Sequence, residues 1–268
     1  MEKIAFERRG QVGLLTLNRP ERLNAIDYPM LRELRTFFDD RHRDLDCRII
    51  IVTGEGRGFC AGLDLYEEHP PGSWQKGLGS VQELYTFQED IADLVVKMRR
   101  APQPLIACVN GPAAGGGLSI AVACDVRIAS PTAAFACAFI NLGITGCDVG
   151  SSYHLPKIVG SSLAADMIYS GRLVNADEAL KAQLVMGVFP PDQLLDEGLA
   201  MAKRWIERSS PFGLRLGKEV LNETITGVSL ENALKLENRS QVLAMQTEDS
   251  EESRAAWKDR RTPAWRDA

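Results

Sequence analysis

The chain has 268 residues, of which 45% are hydrophobic and 25% charged, a composition typical of a globular protein large enough for one α/β domain. Its net charge is −5 at pH 7, and its longest basic runs are only KMRR at residues 97–100 and RR at residues 260–261. This balance argues against a surface that neutralises nucleic-acid phosphates.

The cysteines and histidines do not form a metal-binding or disulfide pattern. None of the six cysteines belongs to a CxxC pair, and most lie in apolar sequence, so we expect small core residues in a reducing compartment. The three histidines, His42, His69 and His154, are widely spaced. We find no secretory segment, transit peptide or membrane-spanning run, and residues 266–268 are not a peroxisomal signal, so we expect a cytoplasmic protein.

Apolar residues recur with strand and helix periods along the first 191 residues, which predicts alternating strands and helices. The predicted elements in chain order are strands at 4–8 and 12–17, a helix at 28–45, a strand at 48–53, a helix-like start at Gly62, a loop at 67–73, a helix at 81–100, a strand at 105–109, a helix at 118–124, strands at 125–130 and 134–137, a loop at 140–148, helices at 150–159, 161–170 and 176–182, and a strand at 184–189.

The pattern becomes entirely helical from Asp192 onward. Pro211 separates two helices, and further helices are predicted at 230–246 and 251–259. The sequence therefore predicts an α/β core over residues 1–191, with βαβ crossovers, and a helical region over residues 192–268. A helical region of this kind packs on its own core or on a neighbouring subunit.

Two glycine-rich segments follow predicted buried strands. Residues 110–121 read NGPAAGGGLSIA and lead into a helix, whose first N–H groups lack partners and carry partial positive charge. Residues 58–65 read GFCAGLDL and follow the strand at 48–53. Two N–H donors from such turns can hold one oxygen that becomes anionic during a reaction. The alternative is that the glycines only permit a tight strand–helix crossing.

These segments together resemble the crotonase (enoyl-CoA hydratase/isomerase) superfamily. The resemblance extends to LTLNRPERLNAI at residues 15–26 and WKDRRTP at residues 257–263. It implies an α/β fold, a crotonase-like spiral of ββα units whose helical C-terminal region builds homotrimers or dimers of trimers. It also implies an acyl-CoA substrate of fatty acid metabolism, with no cofactor beyond the coenzyme A of that thioester. The charge balance and the lack of a membrane-spanning run predict no nucleic-acid or membrane partner.

The resemblance assigns the oxyanion donors to the backbone N–H groups of Leu63 and Gly116. It also identifies a departure from the family. Hydratases of the family carry two catalytic glutamates, and the matching positions here are Ser119 and Phe139. Ser119 has the capacity to position a water but is a poor base at neutral pH, and Phe139 supplies no proton chemistry.

One carboxylate remains near the expected position. Asp148 precedes Val149 and Gly150, as in the dienoyl-CoA isomerase branch, and the halogenated-benzoyl-CoA dehalogenase branch keeps a nucleophilic aspartate in the same loop. The loop is one residue longer here than in either branch. An aspartate near an apolar acyl pocket has a raised pKa and can exchange protons. The alternative, that Asp148 caps the following helix, stays open.

Other polar residues have structural or binding interpretations. We expect Asp64 to fix its turn, Asp125 to hold a strand end, and Glu67 and Glu68 to be loop charges. By resemblance, coenzyme A contacts five positions: Arg22 near the phosphates, Ala25 and Ala61 beside the adenine, and Trp257 and Arg260 on the closing C-terminal helix. For Arg260, a solvated helix end is an equal alternative.

The sequence thus predicts an acyl-CoA enzyme that stabilises an enolate. Proton transfer or double-bond isomerisation through Asp148 is favoured over simple hydration. One alternative is a hydrolase or dehalogenase in which Asp148 attacks the substrate or activates water. Another is a CoA-thioester-binding protein without turnover, which the two missing glutamates suggest.

Overall fold

The protein contains a five-stranded main sheet and a small second sheet. The computed structural model describes residues 2–66 and 79–268. The strands are β1 (Ile4–Arg9), β2 (Val12–Leu17), β3 (Ile49–Gly54), β4 (Leu105–Val109), β5 (Ala113–Ala114), β6 (Val126–Ala129), β7 (Ala134–Ala136) and β8 (Val174–Asn175). The main sheet has the order β1-β2-β3-β4-β6, with β1 antiparallel to β2 and the other pairs parallel. The second sheet has the order β5-β7-β8.

The helices of the described residues follow the predicted order closely. They are α1 (Tyr28–Arg41), α2 (Ser80–Arg100), α3 (Gly116–Ala123), α4 (Ser151–Val159), α5 (Ser161–Ser170), α6 (Ala176–Lys181), α7 (Leu194–Arg208), α8 (Pro211–Thr224), α9 (Leu230–Met245) and α10 (Glu248–Asp259). Several begin at a side-chain cap: Asp27 accepts from the Met30 N–H at 2.8 Å, for example. None of these helices is long and apolar enough to cross a membrane.

The main sheet is covered on both faces because side chains alternate along its strands. In β2, Leu15 and Leu17 enter the core that α1, α2 and α3 share. Val12 and Leu14 enter a second core on the opposite face, which α7 closes. Burial on both faces explains the nearly continuous apolar runs of the parallel strands. Because β3 and β4 are parallel, their carboxyl ends, and the glycine turns that follow, lie at one edge of the sheet.

Two predicted elements are wrong. Residues 184–189 do not form a continuous strand, because the Leu184 N–H donates to Ala179 O at 2.8 Å, closing α6. Only the end of the run follows β6, through a bridge of Val188 with Ala129 and backbone hydrogen bonds to Arg127 and Ala129. The run is apolar because Leu184 and Val185 are buried in the core. Gly62 does not start a helix, because its φ of 97° belongs to the left-handed region.

An ionic cluster fixes α8 to the core. The Lys218 ammonium is buried 3.0 Å from Asp125 Oδ2 and donates to Gln103 O at 2.7 Å. Burial lowers the pKa of Lys218. Asp125 also accepts the Leu105 N–H at 2.7 Å, so it holds the start of β4 as well as pairing with Arg99. One carboxylate thus ties the helical region to the sheet.

We predict that the chain assembles as a trimer or a dimer of trimers. The helical region exposes apolar side chains on α8, on α9 and just after α8 that water solvates poorly: Leu221, Ile225, Leu230, Leu234, Val242, Leu243 and Met245. Sedimentation velocity at micromolar concentration should give a mass of three or six chains. A stable monomer under those conditions would contradict the prediction.

Candidate active site

The two glycine turns lie in direct backbone contact. Cys60 forms a parallel bridge with Ala113, and the Ala114 N–H donates to Cys60 O at 3.0 Å. A Cβ built on Gly117 would lie 2.0 Å from Cys60 O, and one built on Gly62 would lie 2.8 Å from Ala114 O. No side chain fits in either place. The close approach of the turns therefore requires glycine at both positions.

This contact places the two predicted donors side by side. The bridge around Leu63 consists of two hydrogen bonds: the Ile26 N–H donates to Gly62 O, and the Asp64 N–H donates to Ile26 O. The Leu63 N–H takes no part in this bridge. Gly116 is the first residue of α3. Among the residues described, neither the Leu63 nor the Gly116 N–H donates a hydrogen bond. Two adjacent free donors are the arrangement that stabilises an oxyanion.

The space beside the Gly116 donor is lined by apolar side chains. A Cβ on Gly62 would lie 3.4 Å from the Gly116 nitrogen, which shows how closely the two turns meet. A Cβ on Gly116 would lie 3.3 Å from Ile26 Cδ1 and 3.9 Å from Ile91 Cδ1 on α2. Apolar walls raise the strength of a hydrogen bond to a charged oxygen, because water competes less.

Asp64 fixes the first turn, as its position in the sequence predicts. It is buried and pairs with Arg19 at 2.9 Å and with Arg22 at 2.8 Å. It also accepts the Tyr66 N–H at 3.1 Å. The Arg22 guanidinium and these further donors hold the pKa of the Asp64 carboxyl well below its usual range, against the opposing effect of burial. Asp64 is thus a structural anion beside the donors.

Two side-chain amides, the buried Asn24 and the partly exposed Asn110, hold the same region, and the sequence reasoning did not identify them. Asn24 donates to Glu55 O at 2.9 Å and to Gly58 O at 2.8 Å. Asn110 donates to Gly54 O at 2.9 Å and accepts the Gly54 N–H at 3.1 Å. Both asparagines lie inside the quoted motifs, so their position was the available signal. They join the opening segment, the end of β3 and the glycine segment.

The two positions that carry glutamate in hydratases lie beside the donors. Ser119 is on the first turn of α3, and its buried hydroxyl has no hydrogen-bond partner among the described residues. Phe139 is buried against Gly115, where a Cβ would lie 3.4 Å from its ring. Neither side chain supplies a carboxylate. The departure from the hydratase pattern is therefore located next to the predicted oxyanion site.

Asp148 is half-buried in the segment that leads into α4. Its Oδ1 accepts the Val149 N–H at 2.8 Å and the side-chain amide of Gln88 on α2. Burial raises the pKa of Asp148, while these two hydrogen bonds lower it, and burial dominates. Gln88 lies three residues before Ile91, about 4.5 Å along the α2 axis. Since Ile91 reaches Gly116, α2 connects the carboxylate to the donors.

The helix-capping interpretation of Asp148 is wrong. The N-cap of α4 is Gly150, with a φ of 82° and no side-chain capping bond. Val149 also has a positive φ of 44°, so two left-handed residues separate Asp148 from the helix. The carboxylate thus does not cap the helix and accepts instead from Gln88. The sequence contained no signal for the Gln88 contact.

Three of the five predicted coenzyme A residues lie near the first turn. Arg22 pairs with Asp64, and its guanidinium lies 4.6 Å from the centre of the Tyr66 ring. Ala25 is buried, and its carbonyl accepts a hydrogen bond from Arg19. The Ala61 N–H donates to Leu23 O at 3.0 Å.

The other two are separate from this cluster. Trp257 is 82% exposed on α10, and Arg260 ends that helix in a left-handed conformation. Within the described part of the chain, the side-chain bonds of α10 go to its own residues, to Ala244 just before it and to the C-terminal residues 261–267. In the described part of the chain, no hydrogen bond or ion pair joins Trp257 or Arg260 to Arg22 or Ala61.

The remaining polar candidates do not add chemistry. Glu67 and Glu68 lie outside the described residues. Burial lowers the pKa of His154 to about 4, so this side chain is a neutral packing residue. Residues 2–66 and 79–268 contain no group of three or more His, Cys, Asp or Glu side chains able to hold a metal ion. All six cysteines are free thiols, and only Cys147 is exposed.

The known proteins to which this chain is similar include enoyl-CoA hydratases and an enoyl-CoA isomerase. The family model described as enoyl-CoA hydratase/isomerase matches residues 7–268. A probable enoyl-CoA hydratase of Mycobacterium bovis is 36% identical, with 97% of this chain and 90% of that protein covered. The crystal structure of a probable enoyl-CoA hydratase/isomerase from Mycobacterium abscessus is 36% identical, covers 99% of each chain and has a TM-score of 0.91. A monofunctional enoyl-CoA isomerase from Mycobacterium smegmatis is 35% identical, covers 87% of this chain and 99% of its own, and has a TM-score of 0.73.

We predict that Gly116→Pro abolishes most turnover without unfolding the protein. Proline removes the N–H, yet it is well accepted at the first residue of a helix. Losing one oxyanion donor should lower kcat by about 10²–10³. Gly116→Ala is the matched control, because it keeps the N–H and adds only a Cβ near Ile26. Near-normal turnover by a folded Gly116→Pro protein would show that this N–H holds no reacting oxygen.

Proposed function

The chain is an enzyme of the enoyl-CoA hydratase/isomerase family that acts on CoA thioesters, and we propose that it transfers a proton, or moves a double bond, through Asp148. The observation that carries this proposal is the placement of Asp148. It is a half-buried carboxylate with a raised pKa, tied by Gln88 to the helix whose Ile91 lies beside Gly116. The two glutamates of the hydratase pattern are replaced by Ser119 and Phe139.

The proposed first step makes an enolate. The Asp148 carboxylate removes a proton from a carbon that the thioester carbonyl acidifies, directly or through a conjugated double bond. The electron pair of the broken C–H bond moves into the carbonyl, and negative charge develops on its oxygen. The N–H groups of Leu63 and Gly116 stabilise that oxygen. A donor pair fixed in advance by the backbone does not have to reorganise when the charge appears.

The proposed second step returns the proton to a different carbon of the same chain. The electron pair leaves the oxygen, the double bond forms at a new position, and Asp148 is a carboxylate again. One carboxylate suffices because it gives back the proton that it took. A raised pKa suits both halves of this cycle, since the group must be a base first and an acid second.

Hydration requires two catalytic tasks at once. A water must be activated at the β-carbon while another group protonates the α-carbon. Ser119 lacks a base among its described neighbours, and Phe139 has no exchangeable proton. Asp148 alone would have to perform both tasks on one substrate. The replacement of both glutamates therefore favours isomerisation or proton exchange.

The coenzyme A part of the substrate is proposed to lie along the first turn. Arg22 is partly exposed and offers its remaining N–H groups to a phosphate, although Asp64 balances its charge. Ala25 and Ala61 leave room for the adenine. Trp257 and Arg260 are proposed to close on the nucleotide, and the exposure of Trp257 is consistent with that role. An acyl-CoA is the proposed substrate, of undetermined acyl chain.

We predict very weak hydration of crotonyl-CoA. Each general acid or base contributes typically 10²–10⁴-fold, so the loss of both glutamates should leave hydration at least several thousand-fold below a competent hydratase. An acyl-CoA panel in D₂O, read by mass spectrometry and chromatography, separates the reactions. Isomerisation changes the retention time without changing the composition, apart from deuterium gained when the protonated Asp148 exchanges with solvent before it returns a proton. Hydration adds one water, and hydrolysis releases free CoA. Efficient crotonyl-CoA hydration would overturn the proposal.

We predict that Asp148→Asn abolishes turnover of the substrate that this panel identifies. Asparagine keeps the size of the side chain and an oxygen that accepts from Val149, so the loss reports chemistry. In the unaltered enzyme the active carboxylate is lost as pH falls through its raised pKa. The acid limb of the kcat profile should therefore lie above the ordinary aspartate pKa of about 3.9. A folded Asp148→Asn variant with undiminished turnover would refute the assignment.

A further inference from the structure

Two hydrogen-bond donors converge on one oxygen of Asp148. The Val149 N–H reaches Oδ1 at 2.8 Å, and the side-chain amide of Gln88, 60 residues earlier in the chain, reaches the same oxygen. Oδ2 accepts no recorded hydrogen bond from the described residues. The two oxygens of this carboxylate are therefore inequivalent, and Oδ2 keeps its lone pairs free.

The backbone around Asp148 is fixed independently of Gln88. The Asp148 N–H donates to the buried Ser151 hydroxyl at 3.1 Å, and that hydroxyl donates to Gly146 O at 3.1 Å. Val149 is held at a φ of 44°, a conformation that β-branched residues rarely adopt. These contacts aim the Val149 N–H at Oδ1. The backbone therefore supplies one donor, while Gln88 supplies the donor that comes from another element.

Gln88 is also the link between the carboxylate and the oxyanion donors. It shares α2 with Ile91, one turn later, whose Cδ1 would lie 3.9 Å from a Cβ on Gly116. A carboxylate bound to α2 cannot rotate about its χ2 bond without breaking the Gln88 contact. Its orientation relative to Gly116 is thus set by one rigid helix.

We propose that Gln88 is a positioning residue for Asp148, holding Oδ1 so that Oδ2 is the oxygen that exchanges the proton with the substrate. The inference rests on the proposed function, in which Asp148 moves the proton. Gln88 itself does not touch the reacting atoms. It acts by fixing the rotation of the carboxylate and by stabilising the charged form with a hydrogen bond.

The ionisable side chains around Asp148 and Gln88 do not replace the effect of Gln88 on the Asp148 pKa. Burial, the Val149 N–H and the Gln88 amide are the causes that set the Asp148 pKa. The ionisable side chains nearest to the pair along the loop, α2 and α4 are Cys147, Tyr85, Glu89, Tyr153 and His154. None of them is among those causes. Removing the Gln88 amide should therefore leave burial less opposed and raise the pKa of Asp148 further.

The test compares Gln88→Met with the unaltered enzyme on the substrate identified by the acyl-CoA panel. Methionine keeps the length of an exposed side chain and removes the donor. We expect kcat to fall about tenfold or more, the cost of one hydrogen bond to a charged group, with KM little changed. The acid limb of the kcat profile should move to higher pH by about one unit, because the base is protonated sooner. Gln82→Met, the same change at another exposed position of α2, is the matched control and should match the unaltered enzyme.

A second measurement does not depend on turnover. Carboxyl-¹³C aspartate NMR of the ligand-free protein reports the Asp148 pKa, with Asp148→Asn used to assign the resonance. We expect that pKa to rise in Gln88→Met, and to rise further in Gln88→Glu, where a second carboxylate faces the first. A rise in KM and a lower Tm, with an unmoved resonance and an unmoved acid limb, would show that Gln88 only packs α2 and would overturn the inference.

The two proposals fail in different ways. If Asp148→Asn keeps full turnover, the proposed function fails, whatever Gln88→Met does. If Asp148→Asn abolishes turnover while Gln88→Met leaves kcat, the acid limb and the NMR titration unchanged, the positioning role alone fails. Loss of kcat and a raised Asp148 pKa in Gln88→Met, with Gln82→Met normal, would support it.

Discussion

The backbone contact between the two glycine turns is the constraint on which the site depends. The bridge from Cys60 to Ala113 brings together the carboxyl ends of two neighbouring parallel strands, and no Cβ fits at Gly62 or Gly117. This contact makes two N–H groups from distant segments adjacent without any side chain. A donor pair built from backbone alone is rigid, and rigidity is what a developing negative charge needs.

Paired polar groups support this contact, and two of them, Asp64 and Asn24, are buried. Asp64 pairs with two arginines, and the amides of Asn24 and Asn110 bind the carbonyls of the turn after β3. A buried charge or amide is costly unless it is paired, so these groups allow one arrangement and penalise others. The same carboxylate that stabilises the turn also balances the charge of Arg22, which limits how much net positive charge the site presents to a phosphate.

In the function proposed here, the acid–base group lies in the segment before α4 and not on α3. Ser119 and Phe139 leave an unpartnered hydroxyl and an aromatic ring beside the donors, and the carboxylate enters from a loop with two left-handed residues. A loop carboxylate needs a partner on a rigid element to keep its orientation. The bond from Gln88 on α2 provides that partner, and α2 in turn contacts the donor region through Ile91.

The sequence by itself determined the family, the order of most elements and the absence of both glutamates, because each depends on a local motif or period. The two donor positions stay a prediction from the same motifs. It predicted residues 12–17 and 105–109 as the strands that β2 and β4 are. It failed at residues 184–189, where burial produced an apolar run without a strand, and at β5 and β8, where two residues are too short for a period. Only the tertiary structure decided that Asp148 leaves the helix start and binds Gln88. That contact joins residues 60 positions apart, and packing sets it where no local pattern exists.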